Sequence, residues 1–324
     1  MSPFTRGLCI VGLTLFASSA MAQIAKKDSA APKSLLIYYG YPSLINGAKK
    51  TKEASAEFSK YDFVVIAGGL EDAKHEDHRN AKAVIDKTGT TQFFGYVPLG
   101  NREGKDTCLT AKEIRGRIAK WKAMGVKGVL LDEFGFDYGV SRERQNEAVN
   151  EVHKAKLRAI ANAWEPEDAF LPKDKVKPAL DANDIYLWES YRIKNSEAVA
   201  LNDWRKKADR ILECQKELPL SVFSVSTSTE QPKNADELFE HQWYCAAIDG
   251  HRATGWGHKN YASDTKAPYV ASPIQNKKPR VDLGEHVEKN AATVKDSIVT
   301  RSTSLGEISV EAEKLTGSFV PKKK

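Results

Sequence analysis

The feature that most limits the fold of this chain is a series of short apolar runs that alternate with longer segments of helical period. The runs are rich in β-branched and aromatic residues and nearly continuous in hydrophobicity, which is typical of parallel strands buried on both faces. The eight runs are Leu35–Gly40, Phe63–Gly68, Gln92–Val97, Val129–Phe134, Leu157–Trp164, Ile185–Tyr191, Leu220–Val225 and Ala253–Trp256. Strands that alternate with helices in this way predict a closed barrel or a doubly wound sheet.

Two observations favour the barrel. The number of runs is that of a (β/α)₈ barrel, and no G-x-G-x-x-G phosphate turn follows the first strand. The length of 324 residues also suits one such domain. We therefore predict an α/β protein with a single (β/α)₈ TIM barrel over residues 34–273. Helix signals between the apolar runs support this alternation of strands and helices. Thr110 and Glu113 form a capping box, Gly125 ends that helix, and Ser141 is a good N-cap for the next.

The two ends of the chain differ from the predicted barrel. Residues 1–22 have the features of a signal peptide: Arg6, an apolar run from Leu8 to Phe16, and an Ala20-Met21-Ala22 cleavage pattern. Cleavage after Ala22 predicts a secreted or periplasmic protein, and no other stretch is long and apolar enough for a transmembrane segment. Residues 23–33 are predicted to be a linker. Residues 274–324 are polar and poor in aromatics, so we expect a mostly disordered tail, with a short appendage packed on the barrel as the alternative.

Charge and cysteine content exclude some partners and cofactors. The net charge of +6 is mild, and basic residues are scattered among acidic ones, so we expect no nucleic acid partner. Cleavage would leave Cys108, Cys214 and Cys245, an odd number. Cys214 and Cys245 fall on neighbouring predicted helices, where they form either a disulfide or two thiols. No C-x-x-C motif is present, and the oligomeric state is not predicted.

In a barrel the chemistry belongs at the carboxyl ends of the strands. Asp132 and Glu133 directly follow the fourth apolar run, and Glu189 lies at the end of the sixth. Burying such groups without partners is costly, so their position predicts a catalytic role. The structural alternative is that one carboxylate pairs with an arginine or caps the next helix. Carboxylates that face each other across the barrel mouth are suited to glycoside hydrolysis, in which one is held protonated and another ionised.

Aromatic and polar side chains collect at the same predicted strand ends. Sugar rings present apolar C–H faces that stack on aromatic rings, while their hydroxyl groups bond to amides and carboxylates. Each of these residues taken singly is better explained by packing, but as a set on one rim they predict substrate binding. The candidates are Tyr38, Tyr39, Tyr41, Tyr96, Asn162, Trp164, Trp188, Tyr191, Trp256 and His258.

Several of these segments together resemble a known family. They are Tyr39-Gly-Tyr-Pro42, the strand Phe93–Val97, the segment Lys122–Asp137, Asn162-Ala-Trp164 and Tyr186–Ser190. In this order they resemble the spherulation-specific family four and the related polygalactosaminidase-type barrel glycosidases. The resemblance implies a hydrolase of galactosamine-containing exopolysaccharide. It also implies that the acidic pair of the family corresponds to Asp132 and Glu133, and its later glutamate to Glu189. We assign Asp132 as nucleophile or stabiliser and Glu133 as acid.

The sequence therefore predicts a secreted glycoside hydrolase that acts on a polysaccharide without a cofactor or metal. The alternatives are a non-catalytic carbohydrate-binding envelope protein on the same scaffold, and a metal-dependent deacetylase or hydrolase. A His75-Glu-Asp-His78 cluster follows the second strand, but it lacks the H-E-x-x-H spacing of a metal site and is better explained by an exposed charged face.

Overall fold

Eight parallel strands close into a barrel in the computed structural model, which describes residues 29–101, 109–195, 197–228, 234–258, 281–287 and 292–323. The strands up to the sixth are β1 (Lys33–Tyr38), β2 (Phe63–Ile66), β3 (Gln92–Pro98), β4 (Gly128–Asp132), β5 (Arg158–Ala161) and β6 (Ile185–Glu189). A short antiparallel pair follows, β7 (Ile193–Lys194) and β8 (Glu197–Ala198), and the barrel closes with β9 (Ser221–Ser228) and β10 (Ala253–His258). Strand β10 pairs with both β9 and β1. The predicted barrel is confirmed, and a strand lies on each of the eight apolar runs.

Helices surround the barrel and connect its strands. They are α1 (Thr51–Phe58), α2 (His78–Lys87), α3 (Ala111–Met124), α4 (Arg142–Lys154), α5 (Glu167–Phe170), α6 (Leu201–Glu217) and α7 (Ala235–Asp249). The predicted caps are confirmed: Thr110 and Glu113 form a capping box, and Gly125 ends α3 with φ of 90°. The Ser141 hydroxyl accepts a hydrogen bond from the Arg144 amide at the start of α4. Within the described residues, no helix has both the length and the apolar character needed to cross a bilayer.

The apolar residues of the barrel form two layers, because successive side chains of a strand point to opposite faces. In β1, Leu35 and Ile37 belong to the cluster that fills the barrel, whereas Leu36 and Tyr38 belong to the cluster between the barrel and its helices. The interior cluster comprises Leu35, Ile37, Phe63, Val65, Phe94, Leu130, Ile160, Ile185, Leu187, Phe223, Val225 and Ala253. The same alternation therefore decides which residues at the strand ends face the barrel axis.

Residues 292–323 of the C-terminal segment are folded, contrary to the expected disordered tail. An antiparallel sheet is formed in the order β11 (Thr293–Lys295), β12 (Ile298–Ser302), β13 (Gly306–Glu311) and β14 (Thr316–Pro321). One face of the sheet packs on α7, where Val299, Ile308 and Val310 are fully buried. The alternative of an appendage on the barrel describes this segment. Alternating burial along β13 explains why a polar segment forms a sheet that was not predicted. Only every second side chain of a half-buried strand needs to be apolar.

The N-terminal predictions and one cysteine fall largely outside the described residues. The predicted signal peptide, residues 1–22, and Cys108 lie there, so export stays a prediction. The end of the predicted linker is ordered, because Ala30 is buried and its amide bonds to the Gly284 carbonyl. Cys214 and Cys245 are both buried free thiols. The possible disulfide between them is therefore absent, and Cys245 contacts His241 on its own helix instead.

Two isoleucines of the C-terminal sheet test whether this sheet is part of the cooperative fold. Ile308 is fully buried and Ile298 is 42% exposed. We expect Ile308→Ala to lower the free energy of unfolding by about 2–5 kcal/mol, the usual effect of truncating a buried aliphatic side chain. Ile298→Ala is the matched control and should change it by less than about 0.5 kcal/mol. Urea denaturation followed by far-UV circular dichroism measures both, and equal effects would show that the sheet is not packed as described.

Candidate active site

Five polar side chains form the last interior layer of the barrel, at its carboxyl end. Each lies two residues after an apolar residue of the interior cluster: Ile37, Phe94, Leu130, Ile160 and Leu187. The strand period of two therefore directs the five toward the barrel axis. They are Tyr39, Tyr96, Asp132, Asn162 and Glu189. All five are half-buried at the mouth, where a barrel enzyme carries its chemistry.

Hydrogen bonds join four of these side chains. The Tyr96 hydroxyl donates to Asp132 Oδ2 at 2.6 Å, and the Asn162 amide nitrogen donates to Asp132 Oδ1 at 2.9 Å. The same amide nitrogen lies 3.2 Å from Glu189 Oε2 and donates to it as well. Asp132 and Glu189 therefore converge on one nitrogen atom from strands that are two positions apart around the barrel. Glu189 faces the mouth and not the helical layer.

The electrostatics of this layer reflect buried negative charge. Burial raises the pKa of Asp132, and the nearby Glu133 carboxylate adds to this rise. The hydrogen bonds from Tyr96 and Asn162 oppose it, because they stabilise the ionised form. Burial, followed by the charge of Asp132, also raises the pKa of Tyr96 and of Tyr39 well above the ordinary value. Both tyrosines therefore stay neutral, and the Tyr96 hydroxyl remains available to donate its proton to Asp132.

Glu133 reaches the mouth by a different route. It follows the last residue of β4 and has φ of 52°, a left-handed conformation that is uncommon for a residue with a side chain. Its carboxylate lies against Gly100, where an added Cβ would come within 2.0 Å of Glu133 Oε2. Ser190, directly after Glu189, also has a positive φ of 55°. Such backbone conformations are often concentrated at functional sites, and here both directly adjoin the carboxylate cluster.

Trp164 extends the site beyond the barrel axis. Its side chain is 48% exposed, the largest exposure among the aromatic candidates with described side chains. The Lys207 ammonium donates to the Trp164 carbonyl at 2.7 Å and lies 4.9 Å from the centre of its ring. Burial lowers the pKa of Lys207 to about 8. Because Trp164 lies two residues after Asn162, this contact also anchors the backbone that carries the shared amide.

Other predicted substrate contacts lie away from the mouth. Tyr38 is fully buried in the layer between barrel and helices, where its ring packs edge-on against Phe58. Trp256 is buried beside Ile193 and Phe239. Both occupy outward positions of their strands, so the strand alternation removes them from the set that can touch a ligand at the barrel axis.

The aromatic residues around Glu189 are divided in the same way. Trp188 points outward from β6 and is almost fully buried, although it lines a cavity beside Glu189. Tyr191 is fully buried and its hydroxyl donates to Asp249. Tyr41 is half-buried at the rim, with its ring 5.1 Å from that of His75. His258 ends β10, and its side chain lies outside the described part of the molecule.

Two site residues were not predicted from the sequence, Gly100 and Lys207. The G-N sequence at Gly100 is an ordinary loop signal, and nothing in it indicates that a carboxylate packs there. Lys207 lies on α6 among other charged residues, and only the contact of that helix with α5 and with the segment that follows β5 brings it to Trp164. The alternation of side chains along a strand, in contrast, could have separated Tyr39 and Tyr96, which point into the barrel, from Tyr38, which points outward.

Potential metal ligands do not assemble at the mouth in the described residues. In the His75–His78 cluster, His75 accepts a hydrogen bond from the Asp77 amide, and the His78 ring contacts the Leu70 carbonyl. The group with metal-ligand spacing in the described residues is His153, Asp181 and Asp184. Asp184 accepts a hydrogen bond from the Ala159 amide at the beginning of β5. This group therefore lies at the opposite end of the barrel from Asp132.

Comparison with known proteins supports the fold. No protein-family model and no curated protein sequence matches this chain. Among solved structures, Amy13B of Eubacterium rectale aligns with 90% of this chain and 89% of its own, at 12% identity and a TM-score of 0.50. The glycoside hydrolase domain of PelA from Pseudomonas aeruginosa aligns over 72% of this chain and 100% of its own, at 14% identity and a TM-score of 0.47. A 3-dehydroquinate dehydratase from Geobacillus kaustophilus aligns over 76% and 88%, at 12% identity and a TM-score of 0.44. These likenesses concern the barrel fold alone, so the resemblance to spherulation-specific family four stays a prediction.

The raised pKa of Asp132 predicts that this carboxylate destabilises the fold at neutral pH. A folded-state pKa above the ordinary value of 3.8 means that the stabilising protonated form is lost as the pH rises through the folded-state pKa. We expect Asp132→Asn, which cannot ionise, to be more stable than the parent at pH 7 by about 0.5–2 kcal/mol. The difference should shrink below pH 3.8.

The measurement is urea denaturation of both proteins at pH 3 and pH 7. Asp174→Asn serves as the control, because Asp174 is exposed in a turn and its φ of 49° suits aspartate and asparagine alike, so its replacement should leave stability unchanged. If the stability of Asp132→Asn relative to the parent did not increase from pH 3 to pH 7, the raised pKa of Asp132 would be contradicted.

Proposed function

We propose that this protein is a secreted glycoside hydrolase that cleaves an exopolysaccharide at the carboxylates of the barrel mouth. The observation that carries the proposal is the amide of Asn162, which donates to both Asp132 and Glu189. It holds two acidic side chains from different strands over the barrel axis, close enough to act on one glycosidic bond. Glu133 lies next to Asp132 at the same mouth.

The hydrogen bonds support a division of roles between Asp132 and Glu133. Both oxygens of Asp132 accept hydrogen bonds, from Tyr96 and from Asn162, which suits an ionised nucleophile or stabiliser of positive charge at the anomeric carbon. Glu133 then acts as the acid that protonates the leaving oxygen as the glycosidic C–O bond breaks. A water molecule then supplies hydroxide to the anomeric carbon and displaces Asp132 where Asp132 has bonded to that carbon as nucleophile. The remaining proton of the water returns to Glu133. Glu189 positions the sugar and shares the Asn162 amide.

Aromatic rings supply the surfaces on which sugar rings would pack. Tyr39 and Tyr96 lie edge to face in the interior layer, with ring centres 5.6 Å apart, and close the bottom of the mouth. Tyr41 and Trp164 lie farther out on the rim. A saccharide that packs on these rings would have its hydroxyl groups within reach of the carboxylates and of Asn162.

The charge at the mouth is compatible with a galactosamine-containing polymer. The protein carries a net charge of +6, but Asp132, Glu133, Glu189 and the exposed Asp137 make the mouth itself locally acidic. A protonated amino sugar would be attracted to this cluster. We therefore propose a galactosamine-containing exopolysaccharide as the first polymer to test.

Glu133 is the residue whose replacement separates catalysis from folding. We expect Glu133→Gln to reduce hydrolysis of a soluble galactosamine polymer by at least about a hundredfold, because the glutamine cannot donate the acid proton. The measurement is reducing-end release over time, with circular dichroism to show that the variant remains folded. Glu217→Gln is the matched control, since Glu217 is exposed at the end of α6 and away from the mouth.

An unaffected rate in Glu133→Gln would remove Glu133 from the mechanism. Binding of several polymers by the parent protein without release of any product would favour the non-catalytic carbohydrate-binding barrel. The binding assay and the product assay are therefore run on the same polymers.

Chelation distinguishes the carboxylate mechanism from a metal-dependent deacetylase or hydrolase. We expect hydrolysis to be unchanged, within about twofold, after dialysis against EDTA, because acid and nucleophile are both side-chain carboxylates in this mechanism. Loss of activity on chelation, with recovery on addition of a divalent cation, would favour the metal-dependent alternative. The rate is measured before and after dialysis on the same polymer.

A further inference from the structure

A cavity of about 580 Å³ opens beside Glu189 and extends the barrel mouth, with which it shares Glu189 and Trp164. It lies between the ends of β5 and β6, the β7–β8 pair and the beginning of α6. Its lining includes Trp164, Trp188, Glu189, Lys194, Asn195 and Lys207. The volume is sufficient for a sugar unit of a polymer whose neighbouring unit lies at the barrel mouth.

Two ammonium groups converge on the exposed ring in this cavity. The Nζ atoms of Lys194 and Lys207 each lie 4.9 Å from the centre of the Trp164 ring. Within the described part of the chain, neither nitrogen has a carboxylate oxygen within 4.0 Å. Lys207 donates one hydrogen bond to the Trp164 carbonyl, so its other donors can face a ligand. Two neighbouring positive charges without a paired anion favour a ligand that carries a negative charge.

The carboxylates around Lys207 do not cancel this preference. Glu165 and Glu167 act on the Lys207 charge from outside the lining, but both are paired with Arg210. Glu197 and Asp203 line the cavity but are exposed, so water and salt screen them strongly. Glu189 is half-buried and is already bonded to the Asn162 amide.

We propose that this cavity is a subsite for a saccharide unit that carries a carboxylate, such as a uronic acid. The sugar ring lies against Trp164, and its carboxylate bonds to Lys207 and Lys194. A neutral sugar would leave both ammonium groups without an anion, and an amino sugar would be repelled by them. The position of this unit beside the cleaved bond rests on the proposed function, whereas the binding itself does not. The substrate is then a polymer that contains acidic units.

Calorimetric titration of the full chain at pH 7 tests this subsite. The probes are a galactose tetramer in which one unit is galacturonic acid (the acidic tetramer), a neutral galactose tetramer and inorganic phosphate. We expect the acidic tetramer to bind at least about tenfold more tightly than the neutral one, a difference of about 1.4 kcal/mol. We expect phosphate to compete poorly, because it makes no contact with Trp164.

Variants of the two lysines identify the site. Lys207→Met keeps the length of the side chain without its charge and should weaken binding of the acidic tetramer at least about tenfold. Lys194→Gln should weaken it several-fold, and because Lys194 is exposed this variant does not threaten the fold. Lys206→Met is the matched control, since Lys206 is the exposed neighbour on the same helix, and it should bind like the parent.

Three results would overturn the subsite: equal affinity for acidic and neutral tetramers, unchanged affinity in both lysine variants, or phosphate that binds as tightly as the acidic tetramer. The last would identify a simple anion site. The hydrolysis assay on the parent protein distinguishes this failure from failure of the proposed hydrolysis. Binding without hydrolysis of any polymer would reject the enzyme and keep the subsite. Hydrolysis without preference for the acidic tetramer would reject the subsite and keep the enzyme.

Discussion

The arrangement of the site depends on one constraint, the need to satisfy a carboxylate inside a barrel. Asp132 occupies the interior layer directly above Leu130, where an unpaired charge would be costly. Tyr96 and Asn162 meet this need from the strands on either side of β4, one for each oxygen. Once Asn162 is fixed in this way, its amide also reaches Glu189. The polar layer is therefore a consequence of burying Asp132, and its geometry is set by the barrel.

Much of the fold was predictable from the sequence because its signals are local. Runs of buried strand residues and the capping residues Thr110, Gly125 and Ser141 act within a few positions of each other. The acidic residues of the site were predictable for the same reason, since they follow directly on apolar runs. The aromatic contacts were predicted less well, because every aromatic residue at a strand end was included, although successive side chains of a strand point to opposite faces. This alternation places Tyr39 and Tyr96 inside the barrel and Tyr38 outside it.

The features that were missed depend on contacts between distant parts of the chain. Lys207 acquires its role only when α6 contacts the segment that follows β5, and Gly100 only when the loop after β3 meets Glu133. The C-terminal sheet had an indirect signal. Consecutive residues Trp243–Ile248 of α7 are all buried, so this helix is apolar on every side. A barrel covers one side of such a helix only, and the remaining side requires another layer.

That layer is linked to the site through buried polar contacts. Asp249, at the end of α7, accepts hydrogen bonds from Tyr191, from Trp204 and from Arg205. Burial alone would raise the pKa of Asp249, but the charge of Arg205 and these donors hold it below its ordinary value. Tyr191 lies two residues after Glu189, while Arg205 lies two residues before Lys207 on α6. One buried carboxylate therefore ties together the strand end that carries Glu189 and the helix that carries Lys207. Arg301 of β12 donates a hydrogen bond to the Ile248 carbonyl beside Asp249, so the sheet that covers α7 also contacts this junction.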